Sequence, residues 1–218
     1  MNRILLVTRP DYDKATEYLK YYASLIIDDA SRSGLKLKDF QGNNANRKEV
    51  IKFIEKQDPA LIFINGHGSP TELLGQDHKM LISEDQKDLA LLKDRIIYAR
   101  ACDAGSSFGE KVVDGNKGCF IGYKTKFSFW TDNDWSATPP KDKTASLFLE
   151  PSNAVMSSLI KGDTTKVANE KSKKMMAKNM NKILKMEARG EPGAMNWLAV
   201  LWKNYEAQVL HGNPNLSS

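Results

Sequence analysis

The chain has two cysteines, three histidines and no apolar run approaching the ~20 residues that span a bilayer. Two cysteines cannot build a disulfide framework. Cys102 and Cys119 both fall at strand-like segments, which points to a reducing compartment. The cysteines and His67, His78 and His211 stand at spacings that fit no zinc pattern, and His78 and His211 read as surface residues. No metal is expected. Gly66-x-Gly68 follows a strand but lacks the third glycine of a dinucleotide fingerprint, and no P-loop lysine pattern occurs, so no cofactor is expected either. The excess of one sign of charge is small: 32 basic against 27 acidic residues leave +5. Much of that excess lies in 161–185 and reads as a solvated helix face, not a nucleic-acid footprint. The start, Met1–Thr8, is too short for a leader and reads as a first strand. These absences lead to the expectation of a soluble, cytoplasmic protein with neither a nucleic-acid nor a membrane partner.

What is present is enough for one sizeable core: 218 residues, 41% of them hydrophobic. We read residues 1–212 as one domain, with a core over 1–145 and a helical part over 146–212. Residues 213–218 form a polar flexible tail. Ile4–Thr8 is the first buried strand. Asp13 is placed to cap a helix over Lys14–Ser33, which carries apolar residues at helical spacing and ends at Gly34. A strand over Leu35–Phe40 and an amphipathic helix over Asn46–Lys56 follow. The segment Thr71–Asp85 suggests a small hairpin, and Gln86–Lys93 a short helix. Ser106–Asp114 looks helical and Gly118–Tyr123 looks like a strand. Lys124–Lys143 reads as a long functional loop with two exposed tryptophans, Trp130 and Trp135. Helices are expected over Ser146–Ile160, Lys166–Arg189 and Ala194–Leu210. Strands alternating with helices make this an α/β layered domain with a mainly parallel sheet.

Two of the expected strands end on chemistry. Ala60–Asn65 runs into Gly66-His67-Gly68, and Arg95–Arg100 runs into Ala101-Cys102. Ligands of open parallel sheets bind outside the carboxyl ends of the strands. Neighbouring strands would deliver an imidazole and a thiol to one edge, as a cysteine nucleophile with a histidine base requires. A helix start just after Cys102 would favour its thiolate. Cys119, between Gly118 and Phe120-Ile121, reads as an inert buried residue.

At these residues the chain resembles the caspase-like (clan CD) cysteine peptidases. The motifs are Gly66-His67-Gly68-Ser69-Pro70 and Arg100-Ala101-Cys102-Asp103-Ala104-Gly105, with Phe108-Gly109-Glu110 downstream. They look most like those of gingipain-like and CHAT-like members. The resemblance runs from about Ile4 to Tyr123, and the last third carries no family motif. It implies a three-layer caspase-like sandwich with extra carboxy-terminal helices. It implies a cysteine endopeptidase working through a Cys102–His67 dyad and a thioester, with the Gly68 and Cys102 amides as oxyanion hole. It also implies that Arg9, Arg100, Asp103, Trp130 and Asp132 border the substrate. Two guanidiniums facing one pocket would favour an acidic primary residue, whereas Asp132 and Asp134, with Asp103 beside the nucleophile, would instead select lysine or arginine or neutralise Arg100. The expected partners are a protein or peptide substrate and a regulatory protein. The rival readings are a catalytically silent scaffold of the same fold, and a flavodoxin-like ligand-binding domain.

Overall fold

The computed structural model describes residues 4–135 and 138–217. The first half alternates strands and helices as β1 (Ile4–Arg9), α1 (Lys14–Arg32), β2 (Lys36–Gln41), α2 (Arg47–Gln57) and β3 (Leu61–Asn65). A hairpin, β4 (Glu72–Leu74) and β5 (Met80–Ser83), precedes α3 (Gln86–Leu91) and β6 (Ile96–Arg100). Then come α4 (Ser107–Lys111), β7 (Cys119–Tyr123), α5 (Lys143–Ile160), α6 (Thr165–Glu187), α7 (Ala194–Ala207) and β8 (Gln208–Gly212). Among the described residues no helix is long and apolar enough to cross a membrane.

Six strands form one sheet in the order β2-β1-β3-β6-β7-β8, parallel throughout except for the antiparallel β8. The inner strands β1, β3, β6 and β7 are buried along their whole length. Near-continuous apolar runs are what a sheet covered on both faces needs. Alternate residues sort into two cores. Leu5, Val7, Phe63, Tyr98, Ile121 and Tyr123 pack with residues of α1, α5, α6 and α7. Leu6, Ile62, Ile64, Ile97, Ala99 and Phe120 face the α2 and hairpin side. That partition makes the three layers.

Local chemistry sets the ends. Asp13 caps α1 through a capping box with Thr16, and Asn46 caps α2. Inside α5, Pro151 has no N–H to give the Leu147 carbonyl. Asn179 of α6 donates its side-chain amide to that carbonyl instead, at 2.8 Å.

The carboxy terminus departs from expectation. α7 stops at Ala207, and 208–212 turns into an edge strand on β7. The buried Gln208 side chain bonds to Ser172, Tyr123 and Asn169, which draws the chain off the helix axis. His211, expected at the surface, is held on the Gly105 carbonyl at 2.7 Å. The segment read as one long loop holds short 3-10 turns at Asn133–Trp135 and Pro139–Lys141. It is pinned through Asp142, which is buried and accepts from Tyr18, and through Ser128, which is bonded to Asn204.

Candidate functional site

β3 and β6 are hydrogen-bonded neighbours in the register Asn65↔Arg100, an offset of 35. His67 and Cys102 share that offset, so each lies two residues past the end of its strand, on the same sheet edge. Gly66 makes the exit from β3 possible. Its φ is +144°, and a Cβ there would lie 2.9 Å from the Leu74 carbonyl oxygen. Gly68 lies against the next loop, where a Cβ would sit 2.8 Å from the Cys102 carbonyl oxygen. Both chemical groups line one cavity of about 430 Å³. Its other walls are Lys14, Ala15 and Leu19 from α1 and Lys126, Phe127, Ser128, Phe129 and Thr131 from the segment after β7.

His67 is about one-third exposed, and its Nε2 lies 2.8 Å from Asp13 Oδ2. Asp13 is thus both cap and orienter: Oδ1 accepts from the Thr16 N–H at 2.7 Å while Oδ2 holds the imidazole. Burial pushes the Asp13 carboxyl up, but hydrogen bonds from Thr16 and His67 outweigh it and hold it below the usual range. A carboxylate here can only accept, so Nε2 carries a proton, and in the neutral ring Nδ1 is the nitrogen with the free lone pair.

Cys102 is partly buried, and its thiol points at the Phe127 carbonyl, Sγ to O 3.6 Å. Burial pushes this thiol's pKa up. Asp103 adds to the rise, while Lys126 and Lys203 oppose it. This corrects the expectation of helix-favoured thiolate: α4 begins only at Ser107 and spans five residues. Burial therefore favours the thiol form of Cys102 over the thiolate. The Gly68–Leu73 pair is closed by Leu74 N–H to the His67 carbonyl and Ser69 N–H to the Glu72 carbonyl. Neither the Gly68 nor the Cys102 N–H donates to an acceptor among the described residues.

The other site candidates do not gather here. Arg100 is fully buried, and all five of its N–H donors are taken. They go to Asn65 Oδ1 twice, Ser152 Oγ, Asn153 Oδ1 and the Leu19 carbonyl. Its position two before Cys102 keeps it on the strand, where alternation turns its side chain into the α1–α5 core. Arg9 is buried and grips Asp39 with Nε and one terminal nitrogen. Neither guanidinium is offered to a substrate. Asp103, Trp130 and Asp132 are not among the cavity-lining residues. Trp130 is exposed, and Asp132 lines a neighbouring hollow with Trp135, Pro140 and Lys141. The cations at the cavity are Lys14 and Lys126, which the sequence reading passed over.

Two further residues were missed. Asp13 was read only as a cap. His78, read as a surface residue, is exposed, yet its ring centroid lies 4.8 Å from that of His67 and 4.7 Å from that of Tyr12. Asp13, His67 and His78 each offer a ligand atom within 4.8 Å of the others. Sequence spacing hides this set because its members come from three loops, at 13, 67 and 78.

No protein-family model and no curated protein matches the chain. Solved structures do. The complex of Porphyromonas gingivalis RgpB pro- and mature domains aligns over 98% of this chain and 47% of its own, at TM-score 0.54 and 12% identity. The Arg-specific cysteine proteinase gingipain R (RgpB) aligns over 98% and 46%, at TM-score 0.53 and 14% identity. The chain therefore spans about half the length of these neighbours and shares their α/β, caspase-like fold.

Proposed function

We propose that this chain is a cysteine peptidase domain in which Cys102 is the nucleophile and His67 its acid/base. The observation that carries the reading is the meeting of His67 and Cys102 at one cavity, with Asp13 on Nε2 of the imidazole. Nδ1 takes the thiol proton as sulfur attacks the scissile carbonyl. The oxyanion forms beside the unused Gly68 and Cys102 amides, the kind of aimed donor pair that supplies the largest catalytic term. Nδ1–H then protonates the leaving amine, and a thioester remains on Cys102. Water adds to the thioester, giving its proton to Nδ1, and the thiol leaves. Every proton and electron pair in this sequence is carried by these groups and water.

Substrate choice falls to the lining. Lys14 and Lys126 stand among apolar walls, with no acidic residue among those lining the cavity. We assign the preference for an acidic side chain before the scissile bond to these lysines, in place of Arg9 and Arg100. One of the structural neighbours is a complex of pro- and mature domains. That supports a protein partner for this chain as part of the reading.

The raised Cys102 thiol favours a second reading, a silent scaffold of the same fold. A peptide-based electrophile separates the two. Rapid labelling at Cys102, lost in His67→Ala, supports the peptidase. Labelling no faster than that of a free thiol, with no turnover across a fluorogenic peptide panel, leaves the scaffold.

A further inference from the structure

His78 has no part in the mechanism above, yet the fold places it with care. It sits at the tip of the β4–β5 hairpin, where Asp77 and His78 both have φ of 57°. Left-handed backbone at two successive non-glycine residues is held only where surrounding structure enforces it. Gln76 supplies that enforcement. Its side-chain oxygen accepts from the Asp11 N–H at 3.0 Å, and its own N–H donates to the Ala45 carbonyl at 2.9 Å. The Tyr12 ring packs edge-on against His78 at 4.7 Å and tilted against His67 at 6.0 Å. The tip is thereby clamped to the loop that carries Asp13.

We propose that Asp13, His67 and His78 form a zinc site, and that its occupation removes His67 from the tautomer catalysis needs. The second half rests on the peptidase reading; the site itself does not. Two imidazole nitrogens and one carboxylate oxygen are a borderline-soft donor set that suits Zn²⁺, with a fourth tetrahedral position for water. Ca²⁺ and Mg²⁺ prefer oxygen alone. Ligands of a tetrahedral zinc sit roughly 3.3–3.6 Å apart at bond lengths of ~2.0–2.2 Å. The 2.8 Å contact between His67 and Asp13 must open slightly, and atoms up to 4.8 Å apart must close. Both adjustments are small for partly exposed and exposed side chains. Asp13 Oδ1 stays on Thr16, so Oδ2 can bind metal without uncapping α1.

The switch follows from which nitrogen is used. In the peptidase, Nε2 carries the proton and Nδ1 accepts. Zinc needs the Nε2 lone pair, so the proton of the neutral ring moves to Nδ1. No proton is lost, but the catalytic nitrogen changes from acceptor to donor and cannot take the thiol proton.

The test uses the whole chain and Zn²⁺ alone. Competition with a chromophoric chelator measures affinity, ¹⁵N shifts of labelled histidines report the His67 tautomer, and a fluorogenic peptide reports turnover. We expect one Zn²⁺ per chain, a His67 ring shifted from Nε2–H to Nδ1–H, and loss of turnover that chelation restores. His78→Ala should weaken binding and inhibition by roughly tenfold or more, with zinc-free turnover within about twofold of the original, as for an exposed substitution. Cys102→Ala should bind zinc unchanged. Equal affinity in His78→Ala, loss of binding in Cys102→Ala, or turnover that rises with zinc would each overturn the proposal. An inactive zinc-free protein would instead defeat the peptidase reading, while affinity and ¹⁵N shifts still decide the site.

Discussion

Asp13 does two jobs with two oxygens, and they can be separated. A serine retains an oxygen able to cap α1 but cannot reach His67 as a carboxylate. Asp13→Ser should keep the melting temperature near that of the original protein while lowering kcat/KM about 10–100-fold, the usual effect of losing a group that orients a functional histidine. A matching loss in Thr16→Ala would show that the cap alone explains it. The Asp13 carboxyl titrates below its ordinary range. Its contribution to stability is therefore present above about pH 4 and is lost as pH falls through the lowered folded-state value. The two thiols offer a contrast. Burial pushes Cys119 up to about 11, and it is fully buried on β7. Between its ordinary value and about 11 the unfolded chain gives up this proton and the folded chain keeps it, so stability falls with rising pH in that window. Alkylation near pH 8 should modify Cys102 and spare Cys119 until the protein unfolds. Cys119→Ser should cost ~1–3 kcal/mol for burying a hydroxyl and leave turnover within a few-fold. Preferential alkylation of Cys119 in the folded protein would contradict this.

At the scale of elements, Arg100 is a tie and not a substrate ligand. It joins β6 to β3 through Asn65, to α5 through Ser152 and Asn153, and to α1 through the Leu19 carbonyl. Among the described residues no carboxylate pairs with it, so its charge is stabilised by hydrogen bonds and by the Phe63 ring, 5.2 Å from the guanidinium carbon. Removing it orphans several buried acceptors. Arg100→Ala should destabilise the fold by about 3–5 kcal/mol, read as a fall in chemical-denaturation midpoint. Arg100→Lys should recover little, since an ammonium cannot serve three elements with a planar fork. A stable Arg100→Ala protein with altered peptide preference would restore the substrate role. Asn179→Leu tests the α5–α6 junction in the same way. It leaves the Leu147 carbonyl above Pro151 without a partner and should cost about 1–3 kcal/mol in thermal or denaturant melts.

The whole molecule depends on how its sheet is closed at the β7 side. β8 runs antiparallel along all five residues of β7 and is fixed there by Gln208 and His211. Deleting 208–218 would turn a wholly buried apolar strand into a free edge, which is a template for pairing with other chains. Size-exclusion chromatography should show aggregates in that variant. A soluble monomer with an intact thermal transition would mean that β8 is dispensable.

Much of this organisation is legible in the residues themselves. Near-continuous apolar runs place β1, β3, β6 and β7, small residues after two of them mark His67 and Cys102, and Asp13 marks the start of α1. These are local signals, carried by period, capping and chain exit. Four things depended on the tertiary structure. Arg100 looks like a site residue by sequence position, but only the packing of α1 and α5 onto the sheet shows that its donors are spent. Gln208 ends α7 because its partners lie on α6 and β7, far away in sequence. Lys14 and Lys126 become cavity walls only when α1 and the segment after β7 face each other. Asp13, His67 and His78 meet because three loops converge at one sheet edge, and no spacing along the chain encodes a distance between loops.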